Sequence, residues 1–164
     1  MTIAINDNYA REFCALQEVL TRYFQGCDRG DVAQIRSCFA DDARVTHPGR
    51  DTVVGGDAVI EAIFRPAFAY LKNADALCRM HFMGNFRVER LDGDVAETET
   101  YVIAALLAKE ASGETADVKS LRYMDRFRRI NGQWRVSERR MTQDWSAKLL
   151  ASFAMAFASR VGKL

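Results

Sequence analysis

The sequence has few of the residues that metal, redox and nucleic-acid sites require. Only two histidines, His47 and His81, occur in 164 residues, and the four cysteines show no C-x-x-C spacing, which disfavours a zinc site. Basic and acidic residues number 23 and 22, so no electrostatic footprint for nucleic acid or a membrane is present. No glycine-rich nucleotide loop is found either. These absences predict a protein without metal or cofactor that binds neither nucleic acid nor membranes.

Long apolar runs and linker-like segments are also missing. No apolar run approaches the length of a membrane-spanning helix, and no basic-then-apolar signal segment opens the chain. Two prolines and the absence of repeats or low-complexity tracts leave no linker, so residues 1–164 are expected to form one domain. Cysteines without a pairing pattern are typical of reduced thiols, and we expect a cytoplasmic location.

Helical spacing of apolar residues dominates the first 75 positions. It predicts three helices, each expected to begin at a capping side chain: Asn6, Asp7 or Asn8 for the first, Asp31 for the second and Asp57 for the third. Gly26 is expected to end the first helix, and Pro66 to end or kink the third. A short strand is predicted over 43–47, with Val45 and His47 on one face.

From residue 75 the pattern changes to long strands. The segments "LCRMHFMGNFRVER" and "DVAETETYVIAALLAKE" flank a turn sequence, and Asn131-Gly132 predicts a second hairpin further on. A last apolar segment, 144–161, is predicted to be a helix that is buried as a lid or in an oligomer interface. Helices and strands that are segregated in this way indicate an α+β fold, with helices packed on a curved, mainly antiparallel sheet.

Three segments resemble the SnoaL-like enzymes of the nuclear transport factor-like fold. They are "YFQGCDRGDVAQIRSCFADDARV", "MHFMGNFRVE" and "RYMDRFRRINGQWRVSERRMTQDW", and the resemblance covers about residues 10–145. It implies a cone-shaped α+β barrel, a bent sheet wrapped around helices that encloses an apolar pocket. It does not fix the reaction, because one fold hosts many functions.

The resemblance also implies site residues. Scytalone dehydratases, hexachlorocyclohexane dehydrochlorinases and bile-acid 7α-dehydratases use an Asp–His pair in the pocket, which by position is Asp28 and His81 here. The bile-acid enzymes place a Tyr five residues before the Asp, where Tyr23 stands. The dehydrochlorinases add an Arg after the G-x-W turn, and Arg139 is the best match.

The chain departs from these relatives on the next strand. Where scytalone dehydratase has a second pocket His, and the bile-acid enzymes have an Asp nearby, this sequence has Ala104 and Ala105. A substrate contact is therefore missing or supplied by another residue, and neither reaction carries over as it stands.

The side of the strand on which His81 lies is open. Strict alternation puts His81 on a polar face, opposite the face that holds Met80 and Phe82. Two interpretations bring His81 into a pocket. A bulge at Gly84 changes the alternation, or the apolar face is the outer one and packs against another subunit.

The remaining candidates have structural alternatives. Tyr101, His47, Asn85 and Arg139 are predicted to bind substrate. Core packing explains Tyr101 better, a structural histidine explains His47 equally well, and Asn85 fits a bulge. Asp125 is predicted to be structural and to pair with an arginine across the sheet. For Asp28 the alternative is a solvated turn residue.

These residues together predict a cofactor-independent lyase or isomerase that acts on a small apolar ring compound. Asp28 would orient His81 as the general base, and Tyr23 would donate to the oxygen that gathers charge. The alternatives are a non-catalytic domain that binds hydrophobic small molecules, or a small structural subunit of a ring-hydroxylating dioxygenase. A homodimer or homotrimer is expected in each case.

Overall fold

The structure, a computed structural model, describes residues 5–73, 76–110 and 113–150. Its helices and strands follow one another along the chain in an order that separates most helices from the long strands. They are α1 (Asp7–Arg29), α2 (Val32–Ser37), β1 (Phe39–Thr46), β2 (Val53–Val54), α3 (Gly56–Val59), a π-helical turn (Ile60–Phe64), α4 (Arg65–Asn73), β3 (Ala76–Asp92), β4 (Val95–Glu110), β5 (Gly113–Ile130) and β6 (Gln133–Leu150).

The six strands form one sheet in the order β2-β1-β6-β5-β4-β3. β1 runs parallel to β6, and every other neighbouring pair is antiparallel. Helix α1 packs on the face of the sheet that holds most of the buried apolar side chains, which we call the inner face. This arrangement confirms the predicted α+β fold.

Two of the three predicted helix caps are present. Asn6 accepts a hydrogen bond from the backbone N–H of Tyr9 at 2.9 Å, and Asp31 accepts one from Gln34 at 2.9 Å. The prediction for Asp57 is wrong, because Gly55 occupies the cap position and the Asp57 carboxylate pairs with an arginine instead.

Gly26 does not end α1, which continues to Arg29 and ends at Gly30 with φ 70°. Gly26 instead allows α2 to approach closely, because a Cβ there would lie 2.8 Å from Cγ1 of Ile35. The consequence for the site is direct, since Asp28 lies in the last turn of a helix and not in a loop.

Pro66 does not end the third helical segment, which continues past it. The chain passes through the π-helical turn just before the proline, and the Arg65 N–H bonds to the Ile60 carbonyl five residues earlier. α4 then continues to Asn73. A π turn relieves the clash between a proline ring and the preceding turn, because it widens the helix at that point.

The predicted helix over 144–161 is wrong as far as the structure describes it. Residues 144–150 continue β6, which pairs with β5 up to Leu150 opposite Thr115; residues 151–161 lie outside the described part of the chain. The apolar residues Trp145, Ala147 and Leu149 alternate with polar ones, and the neighbouring strand β5 pairs with this segment.

The outer face of the sheet carries charged pairs near the hairpin ends. Arg126 pairs with Glu97 at 3.0 Å, and Arg122 lies 3.8 Å from Glu99. None of the helices in the described ranges has the length and apolar character that crossing a membrane requires.

Candidate functional site

Asp28 and His81 are in direct contact on the inner face of the sheet. Oδ1 of Asp28 lies 2.7 Å from Nδ1 of His81, and Oδ2 accepts the backbone N–H of His81 at 3.3 Å. The side chains are 24% and 20% exposed, respectively. The carboxylate therefore holds both the ring and the backbone of the histidine, and the pair remains open to a ligand.

A β-bulge turns His81 towards Asp28. On one side of it Met83 pairs with Val102, and on the other Phe86 pairs with Thr100, so two residues of β3 stand opposite Tyr101 alone. The register changes at Gly84, as the first of the two interpretations from sequence predicts. Arg79, His81 and Met83 before the bulge, and Phe86 and Val88 after it, face the helices.

The bonding pattern sets the chemistry available to the imidazole. In the tautomer that donates from Nδ1 to the Asp28 carboxylate, the neutral imidazole keeps its lone pair on Nε2. Phe24, one helical turn before Asp28, stacks on the ring with centroids 5.6 Å apart and an interplanar angle of 21°. The geometry presents Nε2 as a fixed proton acceptor.

Arg139 lies in the core, where Asp125 holds it. Two hydrogen bonds of 2.7 Å join the side chains, and both are fully buried. Burial opposes the charge of Arg139, but the Asp125 carboxylate outweighs this effect and the pKa of the guanidinium is raised. The predicted structural pairing of Asp125 is confirmed. Only Nη1 of Arg139 has no hydrogen-bond partner among the described residues.

Tyr23 packs against this buried ion pair. The guanidinium carbon of Arg139 lies 4.1 Å from the Tyr23 ring centroid and 4.7 Å from that of Tyr123. Tyr23 is 3% exposed, and burial raises the pKa of its hydroxyl well above the ordinary value. The hydroxyl therefore stays protonated over the working pH range, and it is enclosed in the core.

His47 lies beside the same cation. It follows β1, and its Nε2 is buried without a hydrogen-bond partner in the part of the chain that the structure describes. Burial, and then the nearby charge of Arg139, lower the pKa of His47 to about 4. His47 is thus a neutral imidazole at pH 7.

Two predicted substrate-binding residues are not brought to this site. Tyr101 lies on the outer face, where it is 38% exposed and its ring stacks with Arg122 at 4.6 Å. Asn85 is exposed within the bulge. The prediction that Tyr101 enters the cavity is wrong, because neighbouring Thr100 and Val102 take the inward positions of β4.

Two residues at the site were missed from sequence. Phe24 stands four residues before Asp28, a spacing that puts both on one helix face, so the signal was available. Tyr123 alternates with Asp125 on β5 and packs edge-on against Phe24 with centroids 5.4 Å apart. Within the described residues, no group of three His, Cys, Asp or Glu side chains could hold a metal ion.

Comparison with known proteins agrees with this fold. A family model described as a SnoaL-like domain matches residues 10–140. No curated protein matches the chain. Among solved structures, a protein described as a candidate scytalone dehydratase from Novosphingobium aromaticivorans DSM 12444 is 15% identical, with 94% of this chain and 99% of that one covered and a TM-score of 0.74.

Two further structures are similar. The hexachlorocyclohexane dehydrochlorinase LinA-type3 from Novosphingobium barchaimii LL02 is 19% identical, with 86% of this chain and 92% of that one covered and a TM-score of 0.68. A protein described as a candidate aromatic ring hydroxylase from Novosphingobium aromaticivorans is 23% identical, with 85% and 94% covered and a TM-score of 0.72. At these identities the likeness establishes the fold alone.

Proposed function

Because the chain belongs to the SnoaL-like domain family, we propose that it is a cofactor-independent lyase or isomerase acting on a small, mostly apolar ring compound. The observation that carries this proposal is the 2.7 Å contact between Asp28 and His81. Relatives of the same fold include a dehydrochlorinase and a candidate dehydratase, both of which are named for elimination reactions.

In the proposed reaction, Nε2 of His81 removes a proton from a ring carbon. The C–H bonding pair forms the new double bond, and the bond to the leaving group on the next carbon breaks with its electron pair. A departing hydroxide takes the proton back from His81 and leaves as water; a halide leaves as the anion and the proton goes to solvent. In an isomerisation no group leaves: the C–H bonding pair moves into an adjacent C=C or C=O bond, and His81 returns the proton to another carbon. The Asp28 carboxylate stabilises the imidazolium while it exists.

Tyr23, Arg139 and His47 are proposed as additional groups that could contact the substrate. The Tyr23 hydroxyl remains a donor, because burial raises its pKa. Nη1 of Arg139 and Nε2 of His47 are buried polar atoms without partners among the described residues. Any of these groups would bind an oxygen or a leaving group only if a substrate passes the rings of Phe24 and Tyr123 and reaches the core.

The test measures proton abstraction directly. Wild-type protein is incubated in D2O with small cyclic ketones, hydroxyketones and halogenated rings, and both H/D exchange and elimination are followed by NMR. His81→Ala is expected to abolish both activities while the circular dichroism spectrum is kept. Asp28→Asn is expected to lower the rates about 10²-fold or more. Arg87→Ala, on the outer face of the same strand, is the matched control, because it is 72% exposed.

Unchanged rates in His81→Ala would remove the mechanism. Binding of ring compounds without any turnover in the wild type would instead favour the hydrophobic-ligand-binding alternative, and co-purification with a larger iron-containing chain would favour the dioxygenase-subunit alternative. None of the four cysteines forms a disulfide, which fits the cytoplasmic location that we propose.

Self-association through the outer face is part of the proposal. Phe82, Met80 and Trp145 are 65%, 48% and 51% exposed, and their strands place them on that face. Large exposed apolar side chains on one sheet face are typical of a contact surface. We expect a homodimer or homotrimer, and Phe82→Lys should shift its sedimentation towards the monomer. A wild type that sediments as a monomer would contradict this part.

A further inference from the structure

Beyond the bulge, apolar and charged side chains are distributed differently between the two faces of the sheet. We call residues 78–83, 103–110, 113–120 and 145–150 the distal half of the sheet. Most side chains on its outer face are apolar. The apolar residues include Met80, Phe82, Ile103, Ala105, Val118, Trp145, Ala147 and Leu149. Its inner face mixes apolar residues such as Ala104 and Leu106 with charged ones: Arg79, Glu110, Asp117, Lys119 and Lys148 beside His81. An inner face of this kind suits a polar end of a ligand better than a dry core.

Strand register puts Lys119 directly across the sheet from His81. His81 pairs with Ala104, and Ala104 pairs with Lys119, so all three side chains lie on the same face. Neighbouring strands are about 4.8 Å apart, which separates the Cα atoms of His81 and Lys119 by roughly 10 Å. Only the methyl group of Ala104 stands between them. Lys119 is therefore the first side chain beyond Ala104 in the row that starts at His81.

Lys119 forms a long and exposed ion pair with its neighbour on the same strand. Its nearest acidic partner is Asp117, whose Oδ2 lies 3.8 Å from Nζ, and the two side chains are 45% and 41% exposed. An ion pair this long and this exposed contributes little. The ammonium group can therefore turn towards a ligand without breaking a strong contact.

The geometry points to Lys119 as the group that binds the electronegative end of the substrate opposite His81. The inference rests on the proposed function and narrows its substrate class to ring compounds with a carbonyl or carboxylate beside the carbon that loses its proton. His81 would take the proton at one side of the ring, and Lys119 would hold the oxygen on which negative charge collects. Tyr23 is placed less well for this role, since it is 3% exposed.

Equilibrium binding tests the inference without turnover. Cyclohexanecarboxylate and the neutral cyclohexanecarboxamide are titrated into the full chain and followed by NMR, for the wild type, Lys119→Met, Lys119→Arg and Lys109→Met. Lys109 is the matched control, because it is exposed and its position on β4 alternates with that of Ala104 onto the outer face. Both methionine variants remove one positive charge, so any general effect of net charge is shared.

We expect Lys119→Met to weaken cyclohexanecarboxylate about tenfold or more, in line with loss of one charge-assisted contact. The carboxamide should change much less, Lys119→Arg should retain the preference for the anion, and Lys109→Met should match the wild type. Equal small losses in both methionine variants, or no binding of the carboxylate to the wild type, would overturn the inference.

His81→Ala separates this inference from the proposed function. It should stop turnover and keep the affinity for cyclohexanecarboxylate. If turnover survives in His81→Ala, the proposed reaction fails, while the comparison of Lys119→Met with Lys109→Met still decides whether Lys119 binds the anion.

Discussion

Replacing Asp125 by Asn should destabilise the fold strongly, because it leaves the charge of Arg139 buried without a counterion. Both side chains are 0% exposed and joined by two hydrogen bonds of 2.7 Å. Removing one partner of a buried ion pair costs about 3–5 kcal/mol. The amide of Asn keeps one acceptor, so we expect the lower end, about 3 kcal/mol. That is a large share of the roughly 5–15 kcal/mol that stabilises a typical domain.

Urea unfolding and thermal melting measure this cost. For a chain of this length, about 3–5 kcal/mol corresponds to a drop in Tm of roughly 6–20 °C. Glu97→Gln is the matched control, because it removes an acid from Arg126, the residue next to Asp125 on the same strand. Arg126 faces outward and its side chain is 52% exposed, so that variant should cost less than about 1 kcal/mol.

A double variant separates an uncompensated charge from a simple packing defect. Asp125→Leu with Arg139→Met replaces the pair with apolar groups, and such replacements are often close to neutral. The double variant should therefore be more stable than Asp125→Asn alone. Equal losses in Asp125→Asn and Glu97→Gln would refute the reasoning, and so would a double variant at least as unstable as the sum of its single changes.

Three further predictions follow from local geometry. The folded pKa of His47, about 4, lies below the ordinary 6.5, so the unfolded chain binds a proton first as the pH falls. Between pH 7.5 and 4.5 the wild type should therefore lose about 2.5 kcal/mol more than His47→Gln in urea unfolding, and parallel losses would contradict this. Gly26→Ala should cost about 1–2 kcal/mol in the same assay, since its Cβ would meet Ile35 at 2.8 Å. Deleting Gly84 should turn His81 outward and abolish H/D exchange in a folded protein, whereas Gly84→Ala, whose Cβ would lie 3.4 Å from its nearest neighbour, should keep it.

Local chemistry predicted the elements whose hydrogen bonds close within a few residues. Asn6 and Asp31 cap their helices because a side-chain oxygen reaches a backbone N–H three residues ahead. Asn131 and Gly132 form the tight turn between β5 and β6 with φ of 51° and 76°, the conformation that this dipeptide favours. The contact of Asp28 with His81 was predicted through the family resemblance and not through periodicity.

Features that depend on distant partners were not predictable in this way. Residues 144–150 have a helix-like composition, but β5 provides an edge along its whole length and the chain pairs with it. Glycine is typical of a helix end, but Gly26 is required because α2 packs against it, and this contact is not visible in the local sequence. The face occupied by Tyr101 depends on which residues of β4 point towards the inner face, and alternation alone does not say which of the two sets does.

The position of the bulge explains why one strand serves both the core and the site. Val88 is 4% exposed in the core, and His81 faces Asp28 on the same side of the sheet. They are seven positions apart, an odd number, so a regular strand would put them on opposite faces. One additional residue near Gly84 removes the conflict. It also lets the apolar side chains of Met80 and Phe82 face outward where His81 faces inward. The inserted residue therefore couples the exposed apolar surface to the Asp28–His81 pair, and a change of register would alter both at once.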